Sequence, residues 1–271
     1  MISILPSAAW REYRGQPSKH GANKTTHLAT IEGPDGKLHR CYVKMVPGRW
    51  PTVLTESIAW LIADALDLPR PGFAAIVAVP VDRLRQCMAL DQHWLGYNEW
   101  PGFCAEAVDG KAPVQTWRWL DWLTAKGVFK KEEVRRISAF DEWVENRDRH
   151  RGNLIRRSDG TCVAIDNEFA LWSPVWTAIM GPGFNVVPQS LLTQAQASMK
   201  PAAMSRFKVE VARAGDRHAA AYVMTEQAVI DTIKALVADP AASAQLVGFV
   251  TSFLRARSDP TWLRGQLGVI A

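Results

Sequence analysis

Apolar and polar positions alternate with a period of two from His27 to Ile31 and again from Leu38 to Val46. The Gly33-Pro34-Asp35-Gly36 cluster between them is a strong turn signal, so the pattern predicts a hairpin. In its second strand Tyr42, Lys44 and Val46 share one face. From Pro51 to Leu66 the spacing changes: Leu54, Ile58, Leu61, Ile62 and Ala65 fall on one face of a predicted helix. Pro71–Val81 and Phe103–Val108 read as apolar strands, and Met1–Arg14 as a weak one. The turn Asp109-Gly110-Lys111-Ala112-Pro113 then separates a strand-rich part from a helical one. Helical spacing recurs in Val114–Lys126 (Trp117, Trp119, Trp122), Glu132–Glu145 (Val134, Ile137, Phe140, Val144), Ala202–Ala214, Glu226–Val237 and Ser243–Arg257. Asp239-Pro240 divides the last two. One short hairpin interrupts the helices: Leu154-Ile155, the turn Ser158-Asp159-Gly160, and Thr161–Ile165.

The polar interruptions carry the candidate chemistry. Asn146 to Asn153 is too polar for a core and reads as a loop between a buried helix and the hairpin, while Asp166 directly follows the second hairpin strand. This layout holds Asp148, Asn153 and Asp166 at one end of the hairpin, and their oxygens are the hard donors that Mg²⁺ and phosphate chemistry use. Lys44 lies among apolar neighbours, and a buried ammonium needs a partner. Glu56, in the first turns of the following helix, is the candidate. Gly15–Thr26 is rich in glycine, small polar and basic residues, with Gly21, Asn23, Lys24 and Thr25 as candidate anion ligands. A plain surface loop carries the same residue types.

Composition narrows the picture. The chain has 271 residues and 48% hydrophobic content, enough for a sizeable core. Its net charge of +5, from 32 basic and 27 acidic residues, permits a nucleotide, tRNA or acidic protein partner without requiring one. Arg147, Arg149, His150, Arg151, Arg156 and Arg157 could meet phosphates, yet they lack interleaved aromatics, so nucleic acid is not the favoured partner. Cys41, Cys87, Cys104 and Cys162 form no C-x-x-C pair and are expected as buried free thiols of a reducing compartment. No secretory leader pattern and no run of ~18 apolar residues is present, so the expectation is a cytoplasmic protein without membrane insertion. The histidines show no metal spacing.

NRDRHRGN (146–153) followed by VAIDNEFA (163–170) resembles the HipA-like kinases and, more distantly, the phosphatidylinositol 3- and 4-kinases. The resemblance implies an α+β, two-lobed protein-kinase-like fold with a β-rich N-lobe (1–108) and a mainly helical C-lobe (109–271). It implies ATP and Mg²⁺ as cofactors, Asp148 as catalytic Asp, and Asn153 and Asp166 as metal ligands. Lys44, held by Glu56, would contact the α- and β-phosphates. Gly21, Asn23, Lys24 and Thr25 would cover the phosphates, and the backbone of Phe103–Val108, with Ala105 and Ala107, would bind adenine. Arg149 and His150 would brace the loop or steady the γ-phosphate. The implied acceptor is a protein Ser/Thr, in a toxin or effector with room for an antitoxin or regulatory partner. Where ordinary protein kinases follow the metal-binding Asp with Phe-Gly, this chain has Asn167-Glu168, so a Phe-based switch is not expected. An inactive kinase-fold binding module and a phosphatidylinositol-type or small-molecule kinase are the alternatives.

Overall fold

The computed structural model describes residues 2–17, 24–46, 51–113, 127–181 and 183–269. The predicted Val114–Lys126 helix lies outside them, as do Gly21 and Asn23.

Six strands form one sheet: β1 (Ile4–Leu5), β2 (Trp10–Gly15), β3 (His27–Glu32), β4 (Leu38–Lys44), β5 (Ala74–Pro80) and β6 (Glu99–Glu106), in the order β1-β5-β6-β4-β3-β2. Among the described residues of this sheet, only β1 and β5 pair in parallel. Alternation decides the faces. Cys41, Val43 and Met45 are fully buried, whereas Leu38 and Tyr42 point to solvent. They join Trp10, Ile31, Val77 and Cys104 in a core closed by Val81 and Leu84 of α2 (Val81–Cys87). Gly102 is needed in β6 because a Cβ there would approach Val43 Cγ1 to 2.9 Å and the Lys44 carbonyl to 3.3 Å.

Helix α1 (Pro51–Ala65) joins the two halves. Val53 packs with Ile76 and Phe103 on the sheet, while Leu54, Ile58 and Ile62 pack with Phe140, Trp143, Leu171, Val229 and Val250. A helix covered on both sides is apolar nearly all round.

The second half is helical: α3 (Glu132–Trp143), α4 (Leu191–Ser198), α5 (Pro201–Ala214), α6 (His218–Leu236), α7 (Pro240–Ser258) and α8 (Pro260–Leu267). The expected hairpin is present as β7 (Leu154–Arg156) and β8 (Cys162–Ala164). Asp239 caps α7 through Ala242 N–H with Pro240 in the first turn, and Asp259 caps α8 in the same way through Thr261 N–H. Helix α6 begins well before the predicted Glu226, because its first turns are alanine-rich and helical by propensity, with little apolar periodicity to signal them. Cys87 corrects the expectation of four buried thiols: it is exposed at the end of α2, and the other three are buried. Among the described residues no helix is long and apolar enough to cross a membrane.

Candidate active site

Strand β4 ends on Lys44, and α1 brings Glu56 beneath it. The Lys44 ammonium bonds Glu56 Oε1 and, at 2.7 Å, Asp166 Oδ1. The Lys44 side chain is 17% exposed, Glu56 2% and Asp166 38%. Burial works against the Lys44 charge, but Asp166, Glu56 and Glu168 outweigh it and hold its pKa above the ordinary value. Burial likewise opposes the charge on Asp166, and Lys44 overcomes it, so that carboxyl stays below its usual range. Glu56 Oε2 also accepts from Asn167 N–H at 3.0 Å. The turn after β8 is therefore fastened to α1, with Asp166 in the left-handed region at φ 60°.

Glu168 strengthens that fastening. Thr52 donates to its carboxylate at 3.2 Å, and its carbonyl accepts from the Thr55 hydroxyl at 2.6 Å and the Trp176 indole at 3.0 Å. Burial pushes Glu168 up to about 7 against the pull of Lys44.

The polar loop is organised by one arginine. Arg149 is fully buried. Its Nε bonds both oxygens of Asp141 at 3.1 and 3.0 Å, and its other nitrogens reach the carbonyls of Asn153 and Ile165 and Oδ1 of Asn167. Burial raises Asp141 to about 6 despite Arg149. Around this brace, Asn146 Oδ1 accepts from Asp148 N–H at 3.2 Å, and Asn153 Nδ2 donates to the Asp148 carbonyl at 2.7 Å. Ile165 N–H bonds the Asn153 carbonyl at 3.0 Å, which sets Asn153 beside Asp166. Backbone bonds Gln189 N–H to Arg147 O and Arg149 N–H to Gln189 O flank Asp148, and Gln189 Nε2 donates to its Oδ1 at 3.3 Å. Burial, aided by Asp166 and opposed by His150, raises the pKa of Asp148, which makes it a better proton acceptor. His150 Nδ1 accepts from Gly152 N–H at 2.9 Å.

The structure thus brings together Lys44, Glu56, Asp148, Asn153 and Asp166. It corrects other expectations. Of the two roles expected for Arg149, the geometry fits the brace and not the γ-phosphate contact, because the side chain is enclosed and points at protein oxygens. Thr25 is buried, and its hydroxyl donates to the Met45 carbonyl. Behind it, buried His27 accepts from the Trp10 indole at 3.1 Å and faces the Thr25 carbonyl at 3.0 Å. Lys24 is exposed. Ala105 lies inside the sheet between Tyr42 and Ala74, and Ala107 N–H bonds the Arg40 carbonyl, so neither offers adenine a free backbone donor. Gln189, Asp141 and Glu168 are site residues that sequence reasoning missed. Gln189 is 41 positions from Asp148, and no local pattern marks it.

The donor set suits hard, oxygen-preferring cations. Among the described residues no three His, Cys, Asp or Glu converge to hold a metal by themselves. Mg²⁺ takes one or two carboxylates with phosphate oxygens, and the Asp166 carboxylate with the Asn153 side-chain oxygen fits that requirement.

No family model matches the chain, and no curated protein matches it. Solved structures do. A proinflammatory kinase of Helicobacter pylori, CtkA, aligns over 100% of both chains with a TM-score of 0.54 and 13% identity. The MAP kinase LmaMPK10 of Leishmania major aligns over 94% of this chain and 82% of its own, with TM-score 0.35 and 12% identity. An aminoglycoside phosphotransferase of Alicyclobacillus acidocaldarius aligns over 99% and 98%, with TM-score 0.26 and 11% identity. The likeness to the Helicobacter pylori structure shows the fold: a strand-rich lobe and a helical lobe arranged as in kinases.

Proposed function

We propose that the chain is an ATP- and Mg²⁺-dependent phosphotransferase to an alcohol group and, more finely, a HipA-like serine/threonine protein kinase. The observation that carries this reading is the Lys44 ammonium, shared between Glu56 and Asp166 beside the Asp148 and Asn153 side chains. Lys44 would position the α- and β-phosphates of ATP, with Glu56 holding it in place. Asp166 and Asn153 would hold Mg²⁺, which supplies charge neutralisation at the phosphates when bound. Asp148, steadied by Gln189, would orient the acceptor hydroxyl and take its proton. The Helicobacter pylori kinase is proinflammatory, which agrees with an effector role for this chain.

The experiment is transfer of labelled γ-phosphate from Mg-ATP to the protein itself and to a cell lysate. Label in the wild type that is lost in both Asp148→Asn and Asp166→Asn supports the reading. ATP binding without transfer would leave a kinase fold used as a binding module, and absence of ATP binding would overturn the proposal.

A further inference from the structure

A cavity lies against two of the residues that bond Asp148. It is a polar cleft of about 220 Å³ between the end of α3, the polar loop, the Pro188–Thr193 segment and α8. Two of its walls are residues that bond Asp148: Asn146, which accepts from its N–H, and Gln189, which donates to its carboxylate. Whatever occupies the cleft therefore sits next to the group proposed to receive the acceptor's proton.

Its charges are committed, with one exception. Asp141 is neutralised by Arg149. Glu145 pairs with Arg147 at 3.4 Å and accepts from Ser173 N–H at 2.9 Å. Arg147 also covers the Trp172 ring at 4.9 Å. Arg257 lies 4.3 Å from the Phe253 ring and 4.5 Å from the Trp262 ring, and it donates to the Glu142 carbonyl at 3.0 Å. The Glu142 carboxylate is the exception: it makes no hydrogen bond or ion pair among the described residues. Burial, then the neighbouring Asp141 and Glu145, push it up to about 7, and Arg257 offsets them only in part. Arg257 is the nearby cation, but its guanidinium is turned to the Glu142 carbonyl and to two aromatic rings, so the half-buried Glu142 carboxylate has no cation in direct contact among the described residues.

We propose that the cleft receives a lysine or arginine side chain of a polypeptide acceptor, with Glu142 as its counter-charge, so that the protein selects Ser/Thr sites flanked by a basic residue. The proposal rests on the phosphotransferase reading and adds its substrate class. Because Asn146 and Gln189 both line the cleft and bond Asp148, a basic residue in the cleft is held in fixed register with the acceptor hydroxyl. The selectivity is therefore positional and not a general liking for cations.

Two arms test it. In the first, wild type, Glu142→Gln and Glu142→Arg phosphorylate a positional library of Ser/Thr peptides with arginine, glutamate or alanine fixed at each position in turn. The expected result is an arginine preference at one position in the wild type. Glu142→Gln should lose it, through a rise of about tenfold in KM for the arginine peptide with little change in kcat. Glu142→Arg should turn the preference toward glutamate. A charge-indifferent wild type, or an arginine preference that survives Glu142→Gln, overturns the proposal.

The second arm needs no transfer: N-acetyl-arginine amide is titrated into labelled protein and read by NMR. Shifts of the Glu142, Glu145 and Gln189 amides in the wild type but not in Glu142→Gln support the cleft, even if no peptide is phosphorylated. That combination would count against the kinase reading alone. Peptide phosphorylation without these shifts counts against the cleft alone.

Discussion

The ammonium of Lys44 lies 2.7 Å from Oδ1 of Asp166, across 122 positions of sequence. One residue ends a strand of the β-rich lobe and the other follows a hairpin of the helical lobe, so the pair ties the lobes at the candidate site. Lys44→Met leaves Asp166, Glu56 and Glu168 facing one another without their cation. The expected outcome is a loss of roughly hundredfold or more in phosphoryl transfer. Steady-state kinetics on folded protein check it, and a variant within threefold of wild type removes Lys44 from the proposed mechanism.

Asp148 predicts a pH limb. The proposed base works only when ionised, and burial holds the Asp148 pKa above the ordinary aspartate value. Transfer should therefore fade as pH falls through that raised pKa, earlier than an exposed aspartate would allow. Gln189 Nε2 favours the ionised form by donating to it, so Gln189→Ala should move the acid limb to still higher pH. A limb that stays in place or moves down contradicts the role given to Gln189. Asp148→Asn should lower kcat by about 10² to 10⁴ while ATP binding persists.

Arg149→Met tests the loop brace. The substitution leaves Asp141 buried without its partner and frees the carbonyls of Asn153 and Ile165. Breaking a buried pair in this way costs about 3–5 kcal/mol, to be read from urea unfolding. Arg149→Lys should rescue only part of it, because one ammonium cannot reach the same spread of acceptors. Full rescue would mean that charge alone matters there.

His218 gives a stability prediction of defined sign. It is buried, stacked on Trp143 with ring centroids 4.5 Å apart, and burial lowers its pKa to about 3. The unfolded chain takes up a proton near pH 6.5 that the folded chain refuses, so this residue costs stability as pH falls below that value. Asp141, Glu142 and Glu168, all raised, act in the opposite direction, and a variant isolates the histidine. Relative to wild type, His218→Phe should gain about 2 kcal/mol between roughly pH 7 and pH 5. Parallel stability curves over that interval would exclude the buried neutral state.

Local pattern made much of the architecture legible. Period-two alternation marked β3 and β4, helical spacing marked α1 and α3, and a Gly-containing turn marked the β7–β8 hairpin. The unusual residues also stood out by sequence alone: a lysine among apolar neighbours, and carboxylates and an asparagine around a short hairpin. Helices α4 and α8 did not, since each is only two turns long and too short to show a period.

The sequence by itself determined which residues need partners, because burial of a charge is forecast by its neighbours along the chain. Only the tertiary structure decided which partner each one gets. Arg149 read as either a loop brace or a γ-phosphate contact and is a buried brace; Thr25 read as part of a phosphate-covering loop and gives its hydroxyl to the Met45 carbonyl; Ala105 read as an adenine contact and lies inside the sheet. Gln189 and Glu142 carried no local signal at all. The physical reason is the same in each case: hydrogen bonds and ion pairs act over a few ångströms in space, and the packing of α1 between the lobes sets which distant residues come within that range.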